Sequence, residues 1–303
     1  MARVLCVGHA VLDFVFSVPR LPDRATTYRA SAFESVGGGP AATAAVAIAR
    51  LGGEALLAAR VGDDAIADLI EAELRREGVD CRLLRRFAGR QSSLSAVVLD
   101  ADGERLIVNH ADPAIPAAAD WLESPRAAGA QAVLADTRWP EGALRALQLA
   151  RRDGVPGILD ADRPMPPDAE ALLAAATHVA FSADGLEDFA GAGDPRAAVA
   201  TLSRRTTAWV CVTLGGEGVV VARGGRTRDL PAFRVRVVDT LGAGDVWHGA
   251  FALALAAGDD EERACRWASA AAAVKVQRRG GRAGAPRRAE VEALLAAGEA
   301  IGQ

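Results

Sequence analysis

From about residue 130 onward, short apolar runs alternate with segments whose apolar positions recur at helical spacing. Ala132-Val133-Leu134-Ala135 precedes a helical pattern over 141–152, Gly157-Ile158-Leu159 precedes 168–175, and His178-Val179-Ala180-Phe181 precedes 184–190 and 195–204. Trp209-Val210-Cys211-Val212 is the next such run. Uninterrupted apolar runs suit strands covered on both faces. Their alternation with helices predicts βαβ units: an α/β fold with a mostly parallel sheet and helices on both sides. Val4 to Val7 and Ala55 to Ala59 are runs of the same kind, so the N-terminal region joins the same sheet.

Two stretches break this rhythm. Residues 11–35 hold Val15-Phe16-Ser17-Val18 and two prolines without a helical period, and Ser95 to Asn109 reads as strand, turn, strand around Asp102-Gly103. Ligands of open α/β sheets bind beyond the carboxyl ends of the strands, so such antiparallel material predicts a small β lid from about 11–35 and 90–110. The alternative is a plain edge extension of the sheet. Residues 215–237 form a further β-rich stretch with glycine turns, followed by helical patterns over 246–257 and 260–277, a Gly/Arg loop over 278–287 and a last helix. With no internal repeat and no long linker, residues 1–303 read as one domain.

Composition narrows the function. The chain is 50% hydrophobic and 24% charged, with a net charge of -4 and a pI near 5.7. No global positive field gathers nucleic acid or an anionic membrane, so neither is expected as a partner. No apolar run approaches a membrane span and the N-terminus lacks a signal-like core, which makes the cytoplasm the expected compartment. Cys6, Cys81, Cys211 and Cys265 stand apart with no metal-like spacing and read as reduced thiols. Lys275 is the only lysine. A P-loop, which needs Gly-Lys-Ser/Thr, is absent, and Schiff-base chemistry has little to work with.

The richest pattern is Val237-Val238-Asp239-Thr240-Leu241-Gly242-Ala243-Gly244-Asp245 running into the apolar helix that starts Val246-Trp247-His248. A Gly-Ala-Gly turn at a helix start aims unpaired N–H groups outward, where the helix dipole adds positive character, and so forms an anion cradle. Asp245 is then either a first-turn acid or a base that accepts a hydroxyl proton while the amides steady a transferred phosphoryl group. Val36-Gly37-Gly38-Gly39-Pro40-Ala41-Ala42-Thr43 also leads into a helix, and reads either as a tight turn or as glycines that let a ligand touch the backbone. His9, His110, His178 and His248 lack any catalytic or metal pairing and read as structural. The arginine pairs at 75–76, 85–86, 151–152 and 204–205 read as solvated faces of helices or turns.

Together, the two glycine motifs resemble the two signatures of the PfkB (ribokinase-like) carbohydrate kinases, over essentially the whole chain. Asp13, Arg60-Val61-Gly62-Asp63-Asp64, Thr213-Leu214-Gly215-Gly216-Glu217-Gly218 and Gly280-Gly281 also fall where that family keeps them. The resemblance implies a ribokinase-like, Rossmann-like domain with a β lid that often forms a dimer. It also implies ATP with Mg2+, frequently K+, and a small sugar as substrate. By position, Asp245 is the base and the amides of Gly242, Ala243 and Gly244 the anion hole. Asp13 with Gly37, Gly38 and Gly39 faces the sugar. Thr213, Gly215, Gly218 and Gly280 flank the nucleotide, and the Asp239 and Leu241 segment with the 275–284 loop is the monovalent-cation region.

Within the family, Gly37 to Ala45, Asn109, Leu134 to Trp139 and Gly280 to Gly284 look like the 6-deoxy-6-sulfofructose kinase branch. That likeness implies Asn109 and Arg138 near a sulfonate, a role that suits a guanidinium fork; otherwise Arg138 is a surface arginine at a helix start. Three departures stand out. Ala42 replaces the usual asparagine, and Thr27 stands where the branch has a lysine facing the anion. The usual Asn-x-x-Glu is Ser182-Ala183-Asp184-Gly185, which leaves Asp184, Glu187, Asp160 or Asp162 to take over its handling of magnesium-bound water and phosphate. The remaining alternatives are a kinase for fructose, a ketose phosphate, 2-keto-3-deoxygluconate or a nucleoside and, from another class, a non-catalytic sugar- or nucleotide-binding regulator.

Overall fold

In the computed structural model, which describes residues 1–102 and 104–301, the apolar runs are strands of one large sheet. Gly103, the second residue of the expected turn, lies outside the described residues. In chain order the elements are β1 (Arg3–Gly8), β2 (Val11–Ser17), β3 (Ala32–Gly38), α1 (Pro40–Arg50), β4 (Glu54–Gly62), α2 (Ala65–Arg76), β5 (Asp80–Phe87), β6 (Leu94–Leu99) and β7 (Arg105–His110). Then follow β8 (Ala132–Asp136), α3 (Pro140–Asp153), β9 (Gly157–Ala161), α4 (Ala169–Ala175), β10 (His178–Ser182), α5 (Ala183–Ala190), α6 (Pro195–Arg205), β11 (Trp209–Thr213), β12 (Val219–Arg223), β13 (Arg226–Leu230), α7 (Ala243–Ala256), α8 (Glu261–Lys275) and α9 (Arg288–Ile301).

The large sheet runs β13-β12-β11-β10-β9-β8-β1-β4-β5, parallel from β11 to β5, with β12 and β13 added antiparallel. Side chains alternate along each strand, so Val4 and Cys6 enter one core layer with α1, α7 and α8 while Leu5 and Val7 enter the other with α3, α4 and α6. The chain runs from β1 to β4 on one side and reaches β8 on the other. This reversal of strand order opens a crevice beyond the carboxyl ends of the strands. α1 and α7 approach closely there, because a Cβ on Gly249 would lie 2.7 Å from the Ala44 carbonyl oxygen.

A separate sheet, β3-β2-β6-β7, is the lid expected from the broken rhythm. β2 pairs antiparallel with β3 and parallel with β6, and β6 antiparallel with β7. The 85–86 arginine pair differs from expectation: both residues lie in β5, the edge strand of the large sheet. Arg86 there bridges Asp68 and Glu71 of α2, and Arg85 stacks over Phe87 and Trp121. An edge strand half-covered by a helix can carry arginines whose stems pack and whose heads reach acids, a pattern easily mistaken for a solvated turn. Among the described residues, no helix is long and apolar enough to cross a membrane.

Candidate active site

α7 starts earlier than its apolar run suggests. Its N-cap is Gly242, at φ 74°, with no side chain capping it, so Asp245 sits in the first turn rather than ahead of it. The Ala243 amide donates to the Thr240 carbonyl at 3.1 Å. Of the three amides expected to form the anion hole, that one is therefore already committed, and the cradle narrows to Gly242 and Gly244. A Cβ on Gly244 would meet nothing within 4 Å, so this turn faces open space. Burial, and then the charges of Asp160, Asp136 and Asp162, push the Asp245 carboxyl up to about 7, with His248 opposing them.

Behind Asp245 stands a pair that sequence spacing does not reveal. His248, one turn along α7, places Nδ1 2.8 Å from the Gly244 carbonyl oxygen and Nε2 3.4 Å from Oδ1 of Asp160. Nε2 also lies 3.3 Å from the Ala180 carbonyl oxygen, so both ring nitrogens face main-chain oxygens and the imidazole is pinned between α7 and β10. Asp160 is only 3% exposed, burial holds its carboxyl well above the usual range, and Oδ1 has no aligned hydrogen-bond partner. Asp160 therefore stands inside the core, beside His248 and the first turn of α7.

The glycine motif before α1 is shaped by protein neighbours. A Cβ on Gly37 would lie 1.3 Å from Nη2 of Arg282, and one on Gly38 would lie 2.5 Å from Oδ2 of Asp13. At Gly39, φ is 91°, and a Cβ would lie 2.4 Å from the His9 carbonyl oxygen. Arg282, buried in the 280s loop, pairs with Glu73 of α2 at 2.8 Å and reaches beneath the motif. Across the lid, Asp13 of β2 is in register with Ser95 of β6, and Ser95 with Asn109 of β7. The Ser95 hydroxyl hydrogen-bonds Asp13, and the Asn109 amide donates to Ser95 at 3.2 Å. Burial raises the Asp13 pKa, with Ser95 and Arg282 opposing. Thr27 lies exposed in the β2–β3 connection, apart from this row.

Asp136, at the end of β8, joins these pieces. Its carboxylate, 2% exposed, accepts from the amides of His9 at 2.8 Å, Ala41 at 3.0 Å and Arg138 at 2.9 Å. One acid therefore fixes the exit of β1, the start of α1 and the turn that carries Arg138. A charge closing the apolar run Ala132 to Ala135 is the one sequence signal that could have marked it. The Arg138 guanidinium hydrogen-bonds Asp162 at 3.3 Å and the Arg163 carbonyl. Burial pushes His9 down, and the Arg138 and Arg60 charges act in the same direction; the Arg60 guanidinium itself stacks over Trp139 and donates to the Pro116 carbonyl at 3.0 Å.

At the degenerate motif, Ser182 caps α5 by accepting from Gly185 at 2.9 Å, and its hydroxyl donates to Asp162 at 2.6 Å. A Cβ on Gly185 would lie 2.1 Å from the Ala161 carbonyl oxygen, so α5 sits too close for a glutamate there. Asp184 and Glu187 are exposed, and Glu187 pairs with Arg163. Thr213 ends β11, and the turn beyond it leaves Gly215 open while Gly218 packs against the Leu230 carbonyl. The acids bearing on Asp245 make a locally negative floor of the kind a divalent cation on a polyphosphate neutralises; such magnesium needs few protein ligands.

A monovalent cation fits less well. Asp239 does organise the expected region: its carboxylate accepts from the amides of Leu241 at 2.9 Å, Gly280 at 3.1 Å and Gly281 at 3.4 Å. Lys275 Nζ, however, already lies 2.9 Å from the Asp239 carbonyl oxygen and 3.4 Å from its carboxylate.

Residues 1–288 match the pfkB family of carbohydrate kinases. The ribokinase of Bacillus subtilis is 30% identical over 297 residues, covering 97% of this chain and 100% of its own, and fructokinase-1 of Oryza sativa subsp. japonica is 29% identical over 321 residues, covering 96% and 97%. Among solved structures, a protein from Agrobacterium tumefaciens described provisionally as a ribokinase superposes with a TM-score of 0.92 at 37% identity, covering 98% of this chain and 99% of its own. Arabidopsis thaliana ribokinase complexed with ribose and ATP gives 0.86 at 27%, covering 97% and 98%.

Proposed function

Because the chain belongs to the pfkB family of carbohydrate kinases, we propose that it phosphorylates a primary hydroxyl of a small ketose with an anionic end, such as 6-deoxy-6-sulfofructose. The observation that carries the kinase chemistry is Asp245 on the first turn of α7, its carboxyl held at about 7 next to Gly244, whose side faces open space. The sugar lies under the lid with hydroxyls on Asp13 and the Gly38 and Gly39 backbone. ATP lies along the carboxyl edge between the Thr213 to Gly218 turn and the Gly280 loop. Asp245 takes the hydroxyl proton as that oxygen bonds to the γ-phosphorus and the bond to the bridging oxygen of ADP breaks. The amides of Gly242 and Gly244, with the α7 dipole, hold the equatorial oxygens. Magnesium, when bound, spreads the phosphate charge. Asp162, steadied by Ser182, is the acid placed to orient that end of the site in place of the missing Asn-x-x-Glu glutamate.

The anionic-end reading rests on Arg138, at the end of β8, and on Asn109 of the lid. Arg138→Ala is expected to raise KM for 6-deoxy-6-sulfofructose by about tenfold or more and to leave KM for fructose or ribose near its starting value. Equal KM values for the anionic sugar before and after would remove Arg138 from the site. A neutral-sugar reading has its own support, because Asp162 already engages Arg138 and the curated relatives include ribokinases. ADP release measured with 6-deoxy-6-sulfofructose, fructose, fructose 6-phosphate, ribose and adenosine separates the two.

The lid also supports a homodimer. Phe14, Phe16 and Phe33 cluster on one of its faces, and the register adds Leu106 and Val108 to the same face, opposite Asp13, Ser95 and Asn109. Phe33 is 56% and Val108 62% exposed, more apolar surface than a solvated lid needs. Light scattering is expected to report a dimer, and the double variant Phe33→Glu, Val108→Glu a monomer. A monomeric parent protein would refute the lid interface.

A further inference from the structure

The point of departure is the Asp239 hub. Its carboxylate gathers the amides of Leu241, Gly280 and Gly281, and so ties the segment that leads into the α7 cradle to the loop that flanks the nucleotide. A hub of this kind, with a carboxylate and a main-chain oxygen turned toward one buried spot, calls for a positive charge there. In this chain the charge is covalent. Lys275, the last residue of α8 and the only lysine in the sequence, has a fully buried side chain whose Nζ meets the Asp239 carbonyl oxygen at 2.9 Å and its carboxylate at 3.4 Å.

We propose that the Lys275 ammonium is a built-in replacement for a monovalent cation, so that this kinase works without potassium. An ammonium group carries the same charge as a potassium ion, is of similar size and presents three donors to oxygen ligands. A guanidinium is flat and wider, which accounts for a lysine at this one position in a chain that otherwise uses arginine. A free cation cannot share the spot, because two like charges in contact away from bulk water repel strongly. The lysine supplies the charge permanently and holds Asp239, and through it the 280s loop, in place whatever the surrounding salt. Lys275 acts through Asp239 and is a positioning residue.

The activity arm of the test rests on the kinase reading above; the melting arm does not. Wild-type protein is expected to show the same turnover and the same Tm in KCl, NaCl and choline chloride at equal ionic strength. Lys275→Ala opens the spot to a free ion. Its turnover in choline chloride is expected to fall by about tenfold and to recover in KCl, and its Tm to rise with KCl concentration but not with choline. Lys275→Arg keeps the charge but not the shape, and is expected to stay salt-insensitive while losing turnover. The proposal is overturned if wild-type turnover or Tm rises specifically with KCl, a result that needs no variant. A folded Lys275→Ala that is equally active and equally stable in all three salts also overturns it. If no sugar is phosphorylated under any condition, the kinase reading fails while the melting curves still decide the role of the lysine.

Discussion

Asp245→Asn is expected to lower kcat by a factor of about 10² to 10⁴ while leaving KM for ATP and sugar within a few-fold, because it removes proton transfer and keeps the shape of the first turn of α7. The pH profile supplies a second readout. A general base must be ionised, so kcat/KM is expected to rise with pH through about 7, where burial and the surrounding acids hold the carboxyl, and to level off above it. The residual activity of the variant should lack this limb. Turnover above about a hundredth of wild type, or an unchanged acid limb, would remove Asp245 from the role of base.

Stability should move the other way. A carboxyl raised from 3.8 to about 7 by folding binds more protons in the native than in the unfolded state between those values. Native stability therefore falls as pH rises through that window. The full climb corresponds to at most about 4 kcal/mol at ~1.4 kcal/mol per pH unit, and solvent reaching the partly buried carboxylate reduces it to about 2 kcal/mol. Asp245→Asn is expected to melt higher than wild type at pH 8 and with little difference near pH 4. Lower activity joined to higher stability is the signature of a strained functional group, and a structural N-terminal acid would show the opposite.

Asp136→Ala is expected to show the second-largest effect and to act on both folding and function. Removing the carboxylate leaves the amides of His9, Ala41 and Arg138 without an acceptor in a buried place, and each unsatisfied group costs about 1 to 3 kcal/mol. Allowing for water entering the gap, a loss of about 4 kcal/mol and a fall in Tm on the order of 10 °C are expected. In the folded fraction, KM for the sugar should rise more than KM for ATP if the proposed sugar site is right, because the three amides hold the start of α1 and the Arg138 turn that this site uses. Asp136→Asn keeps one acceptor oxygen and should fall between the two. Circular dichroism melts and separate KM determinations check this; a Tm within about 2 °C of wild type would show that water replaces the carboxylate at little cost.

The α/β rhythm, the glycine cradle before α7 and the segments of the lid were all legible in the residue pattern, because each depends on spacing within one short segment. Apolar runs need burial on both faces wherever they occur, and Gly242 and Gly244 free a helix end whatever lies opposite. The edge strand β5 was not legible, since its arginines pack by their stems and the pattern looks solvated. Nor was Gly185, where the closeness of Ala161 excludes the acid that the family motif calls for.

Tertiary structure alone decided what stands next to what. Gly37 is a glycine because Arg282, far along the chain, occupies the space of its side chain, and Asp136 matters because three segments bring amides to it. His248 reads as an ordinary core residue until Asp160 is placed at its Nε2, and Lys275 as a helix residue until Asp239 is placed at its Nζ. Local sequence sets which backbone conformations are cheap. The charges, hydrogen bonds and close contacts that tune a site join residues tens to hundreds of positions apart, and only the packing of helices against the sheet brings them together.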